Sequence, residues 1–156
     1  MSKKYIGLIL ILMAVSSESS DLNIKNMDSP MELLVHKTPT CGCCKMWVKH
    51  MKNNGFAIRT QDHQSLEKIK TMLKIEPQFR SCHTGVSSNG YFFEGHIPSE
   101  YVSKFLSENN PDAIGLSVPG MPLGSPGMEV EDRFTPYDVL IHFKNGETKV
   151  YAEVRR

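Results

Sequence analysis

The sequence predicts a mixed α/β domain, and three observations carry that expectation. Apolar residues recur with strand and helix periods in the order β-α-β-α-β-β-α. A tight cysteine cluster falls where the first strand gives way to the first helix. A Gly/Pro-rich tract then separates this domain from a last hairpin, so the expected architecture ends in a C-terminal Gly/Pro-rich loop and β-hairpin extension.

Taken in order, residues 1–16 carry Lys3 and Lys4 ahead of an apolar run at 6–15, with Ala14-Val15-Ser16 in the places a signal peptidase reads. The run is far shorter than the ~17–25 apolar residues of a spanning helix, so residues 1–16 are expected to be a signal peptide, and residues 17–30 a polar, flexible leader. Leu33-Leu34-Val35 is the first strand, closed by Thr38-Pro39. Trp47, Val48 and Met51 share one helical face, and Gly55 stops that helix. Residues 56–60 make a second strand, Leu66, Ile69 and Leu73 a second helix ended near Pro77. Residues 82–87 and 91–94 flank Ser88-Asn89-Gly90, a hairpin signal. Tyr101, Val102, Phe105 and Leu106 form the last helical stripe, stopped at Asn109-Asn110-Pro111.

The domain is therefore expected over 31–110, with an extension over 111–156 packed on it. Within 115–128 half of the residues are Gly or Pro, which predicts an irregular loop throughout. Val139-Leu140-Ile141-His142-Phe143 and Lys149-Val150-Tyr151-Ala152, joined around Asn145-Gly146, predict a second hairpin that must dock on the domain, since a lone hairpin is marginal in water.

Composition narrows the function. The 156 residues hold 18 Lys and Arg against 17 Asp and Glu, a net charge of +1 that becomes −1 when residues 1–16 leave with their two lysines. Basic residues are dispersed, which offers nucleic acid no patch. No Gly-x-Ser-x-Gly supports a serine hydrolase. The surplus is sulfur, with 4 cysteines and 9 methionines.

Cys41 and Cys44 form a Cys-x-x-Cys pair between strand and helix, a thioredoxin-like redox motif. A helix N-terminus and Lys45 favour a thiolate there. Cys43 adds a third sulfur. If the third strand lies antiparallel beside the first, Cys82 and His83 reach the same sheet edge, and the returning hairpin brings His96 there as well. Clustered thiolates select a thiophilic metal. Met121 and Met128, set in the loop, point to copper over zinc, because thioether sulfur suits Cu(I). Cys41, Cys43, Cys44, Cys82, His83, His96, Met121 and Met128 are the candidate ligands. His36, His50, His63 and His142 read as surface or packing residues, and Met46, Met51 and Met72 as core filler. Two disulfides, Cys41 to Cys44 and Cys43 to Cys82, are the structural alternative.

Thr38-Pro39-Thr40-Cys41-Gly42-Cys43-Cys44-Lys45 with Trp47, Arg80-Ser81-Cys82-His83-Thr84, Glu94-Gly95-His96-Ile97-Pro98, Val118-Pro119-Gly120-Met121-Pro122 and Gly124-Ser125-Pro126-Gly127-Met128 together resemble the bacterial copper-resistance protein CopG family over residues 33–151. The resemblance implies a periplasmic protein with a thioredoxin-like domain and a metal-holding extension. It also implies a cysteine-bridged copper cluster, interconversion of Cu(I) and Cu(II), and assistance to efflux. Cys82-His83 stands where ordinary thioredoxins place a cis-proline, which argues against simple dithiol exchange. The leading expectation is a periplasmic copper-binding protein of copper resistance, a monomer whose partners are copper ions and efflux components, and which acts on copper as a redox enzyme. A thiol-disulfide oxidoreductase with Cys41 and Cys44 as the redox pair, or a non-redox copper chaperone or buffer, are the rivals.

Overall fold

A computed structural model describes residues 31–156; the expected signal peptide and leader lie outside the described residues. Strands β1 (Glu32–Lys37), β2 (Ala57–Asp62), β3 (Thr84–Ser87), β4 (Phe92–Glu94), β5 (Ala113–Ser117), β6 (Tyr137–Phe143) and β7 (Thr148–Val154) form one sheet in the order β2-β1-β3-β4-β5-β6-β7. Helices α1 (Gly42–Asn53), α2 (Glu67–Met72) and α3 (Ser99–Ser107) connect them. The β-α-β-α-β-β-α order is present. β1 pairs parallel to β2 and antiparallel to β3, which in turn pairs antiparallel to β4.

Each element follows from local chemistry. Cys41 caps α1, accepting the Cys44 N–H on its sulfur at 3.3 Å. The helix carries no acid in its first turn and His50 and Lys52 in its last; the basic end complements the macrodipole. Its buried face is Cys44, Trp47, Val48 and Met51. Leu33 and Val35 of β1, Phe93 of β4, Val102 and Phe105 of α3, and Val139 and Ile141 of β6 complete a core against it. Each large apolar side chain buried here contributes about 1.5–3 kcal/mol. Both Asn-Gly turns close as hydrogen-bonded hairpins, with Gly90 N–H on Ser87 O at 2.9 Å and Gly146 N–H on Phe143 O at 3.0 Å.

Three expectations are corrected. Residues 115–117 are not loop: they lie in β5, which pairs parallel with β4 and antiparallel with β6. Gly115 misleads as a breaker because it is needed for close approach: a Cβ there would stand 2.2 Å from Phe92 O. β5 thus joins the terminal hairpin edge to edge with the first four strands. Second, the helix is shorter than the run from Leu66 to Leu73: α2 spans Glu67–Met72, with Leu66 buried just before it and Lys70 its own buried residue. Third, Met51 is core, but Met46 and Met72 are exposed. Among the described residues no helix is long and apolar enough to cross a membrane.

Candidate metal centre

The end of β1, the start of α1, the approach to β3 and the exit from β4 meet at one edge of the sheet. After β1 the chain turns, with Cys41 N–H on Thr38 O at 3.3 Å, and enters α1 with its three cysteines in a single turn. Cys41 and Cys44 are joined as a disulfide with Cα atoms 5.3 Å apart. Cys43 and Cys82 are free. Cys43 Sγ lies 3.5 Å from Cys41 Sγ and 3.7 Å from Cys82 Sγ, and Cys44 Sγ is 3.6 Å from Cys82 O.

Cys82 also faces nitrogen. Its sulfur is 3.1 Å from His96 Nε2 and 3.3 Å from His83 Nδ1. The Cys41, Cys43, Cys44 and Cys82 sulfurs form one set of donors within 4.8 Å, and Cys82, His83 and His96 another, so Cys82 belongs to both. His96 Nδ1–H donates to Pro126 O at 2.8 Å. That fixes the tautomer and leaves the Nε2 lone pair aimed at Cys82, the outer-shell arrangement that prepares a histidine to bind metal. His83 is fully buried between Trp47 and His96, at ring separations of 4.5 and 4.9 Å, and its Nε2 has no partner. An unpaired buried imidazole nitrogen is costly; the nitrogen of His83 turned toward Cys82 is the other one, Nδ1.

Burial, with Cys43 beside it, pushes the Cys82 thiol up to about 12. Burial also holds His96 below the ordinary imidazole range, and His83 well below it, the latter helped by His96 and Lys70. A cation entering here exchanges thiol protons for metal bonds. Soft thiolates with imidazoles suit Cu(I) or zinc rather than hard cations, so the donor set fits copper.

Residues that sequence reasoning missed hold this arrangement. Glu94 and Lys70, both buried, form an ion pair. Lys70 donates to Ser81 O at 2.9 Å and to Thr84 Oγ1 at 3.3 Å. Glu94 accepts Ser81 N–H at 2.6 Å and Thr84 Oγ1–H at 2.5 Å. The pair therefore grips the chain on both sides of Cys82-His83. Burial pushes the Glu94 carboxyl up, opposed by Lys70 and its hydrogen bonds. Trp47 Nε1–H donates to Ile97 O at 2.8 Å, tying α1 to the segment that carries His96, and His50 Nε2 accepts Ser99 N–H at the start of α3 at 3.1 Å. Only the proximity of Glu94 to Gly95-His96 hinted at these roles.

The methionines stand differently. Gly120 N–H reaches Arg80 O at 3.3 Å, which anchors the backbone before Met121 near Cys82, while the Met121 side chain is half exposed. Before Met128, Gly127 has φ +86° and a Cβ there would lie 2.7 Å from Cys43 O and 2.8 Å from Trp47 N. The loop is thus pressed onto the first turn of α1, with Met128 partly buried beyond it.

A family model described as a protein of unknown function, DUF411, matches residues 79–128. No curated protein sequence matches the chain. Two solved structures are similar to it, named copper resistance protein copG, form 2 and form 1. Both are 39% identical; the matches cover 81% and 82% of this chain and 100% of each of theirs, with TM-scores of 0.77 and 0.76.

Proposed function

The chain belongs to the family of the copper resistance protein CopG, and from that premise we propose that it binds copper as its substrate in copper resistance, holding Cu(I) on Cys41, Cys43, Cys44 and Cys82 with His83 and His96. The observation that carries the reading is the position of Cys82, shared between a sulfur set and an imidazole set. Shared thiolates can bridge several ions, which favours a multi-copper site; Met121 and Met128 would cap it from the loop.

The Cys41–Cys44 disulfide supports a redox role. As dithiolate, the two cysteines can give one electron each to two Cu(II) ions; the S–S bond forms and two Cu(I) ions remain. In the disulfide state the free donors are Cys43, Cys82, His83 and His96, so copper keeps a binding set while the pair is oxidised. Export to the periplasm, proposed on residues 1–16, would put this chemistry where copper is passed to efflux components.

Anaerobic titration of the reduced protein with Cu(I) against a chelator tests the binding. Uptake of more than one equivalent, reduced by Cys43→Ser, is expected; no uptake sinks the reading. Added Cu(II) should then consume two thiols for every two Cu(I) formed. Copper bound without loss of thiols would instead favour a chaperone or buffer. The same disulfide favours one rival, a thiol-disulfide oxidoreductase, and metal-independent insulin reduction that survives Cys82→Ser would select it.

A further inference from the structure

Two imidazoles meet away from the thiolate pocket. His36 is the fifth residue of β1 and alternates with Val35 and Lys37, which are buried. His63 follows the last residue of β2, and its N–H donates to Lys37 O at 2.9 Å. The parallel register, Lys37 against Asp62, sets the two histidines side by side. His36 Nδ1 and His63 Nε2 are 3.0 Å apart, with ring centroids at 5.1 Å. One ring donates and the other accepts. Burial, and then His63, hold His36 below the ordinary imidazole range. The neighbouring carboxylate, Asp62, is engaged by Lys37.

The spacing is that of two ligands on one ion. With metal–nitrogen bonds of about 2.0–2.1 Å, nitrogens 3.0 Å apart subtend about 95° at the metal, whereas a tetrahedral ion would set them roughly 3.3–3.4 Å apart. Near-right angles between nitrogen donors belong to tetragonal Cu(II) or Ni(II), and Cu(II) binds such donors most strongly of the first-row divalent ions.

We infer that His36 and His63 form a second, separate metal site that takes Cu(II), the ion replacing the hydrogen bond between the rings and water completing its coordination. The balance is simple. The hydrogen of the donor ring moves to its other nitrogen, both facing nitrogens then present lone pairs, and no proton or electron is lost. The site is borderline-hard where the thiolate pocket is soft, so the two sort copper by oxidation state. They also share an end of the sheet: His36 pairs across the strands with Thr84, two residues from Cys82.

The test removes the thiolate pocket. The full chain with Cys43→Ser and Cys82→Ser, its other two cysteines joined, is titrated with Cu(II) chloride and followed by electron paramagnetic resonance. An axial spectrum at one equivalent, with hyperfine splitting from two nitrogens, is expected. His36→Gln or His63→Gln on that background should each abolish the two-nitrogen pattern. An unchanged spectrum in both variants overturns the inference, as does loss of the pattern with His50→Gln instead. Should the double cysteine variant not fold, substoichiometric Cu(II) added to the oxidised wild-type chain reads the same point by nuclear magnetic resonance. Broadening of the His36 and His63 ring signals before those of His50 and His142 supports the site; broadening confined to His83 and His96 overturns it. Neither result depends on Cu(I) binding by the cysteines.

Discussion

Cys82 is the residue on which the thiolate site turns, because its sulfur lies 3.7 Å from Cys43 Sγ and 3.1 Å from His96 Nε2. A serine there offers a hard oxygen to a soft ion. Cys82→Ser is therefore expected to weaken Cu(I) binding by tenfold or more, about 1.4 kcal/mol, and by more than His83→Asn does; chelator competition on the reduced proteins measures both. Gly127 acts by having no side chain. With φ +86° and Cys43 O 2.7 Å from where a Cβ would be, Gly127→Ala forces the loop off α1. The strain should cost roughly 1–3 kcal/mol in chemical denaturation. Copper affinity should fall too, because Pro126 O, one residue away, orients His96.

At the scale of elements, the loop entering β3 is held by the Lys70–Glu94 pair, reaching it from α2 and β4. Removing one partner leaves a buried charge unpaired, which costs about 3–5 kcal/mol. Lys70→Met is expected to lose that much stability in urea unfolding, and Lys70→Met with Glu94→Gln to lose less, because the amide is uncharged, its oxygen can still accept the Ser81 N–H and its NH2 can donate to Thr84 Oγ1. If the double variant is as unstable as the single one, the pair is not what holds the loop. This device was the least legible part of the site. A lysine four residues after Leu66 reads as solvated, and only a carboxylate 24 residues further along makes its burial tolerable. The cysteines and His96 were legible because turn and hairpin signals are local, and the condition they needed, a third strand antiparallel beside the first, is met in the sheet. β5 was not, because Gly115 reads as a breaker until the crowding against Phe92 is known. The facing of His36 and His63 depends on a parallel register, which periodicity within either strand cannot give.

Across the whole molecule, β5 makes the terminal hairpin part of the sheet, and His142 sits where that continuity is most exposed to acid. It is buried on β6, with Nε2 2.7 Å from Ser117 Oγ of β5 and Nδ1 3.2 Å from Thr148 Oγ1 of β7, between the rings of Phe79 and Phe92. Burial lowers its pKa from 6.5 to about 4. The unfolded chain therefore binds a proton near pH 6.5 that the folded chain refuses until about pH 4, and between those values the unfolded state holds more protons. Stability from this group is complete above pH 6.5 and is lost as the pH falls toward 4. Allowing for partial solvent screening, the loss is roughly 2 kcal/mol, a fall of about 4–8 °C in the melting temperature. His142→Gln keeps a hydrogen-bonding side chain but cannot titrate, so the difference in melting temperature between variant and wild type should change by that amount from pH 7 to pH 4.5. A constant difference would mean that His142 takes its proton without disturbing the junction between β5, β6 and β7.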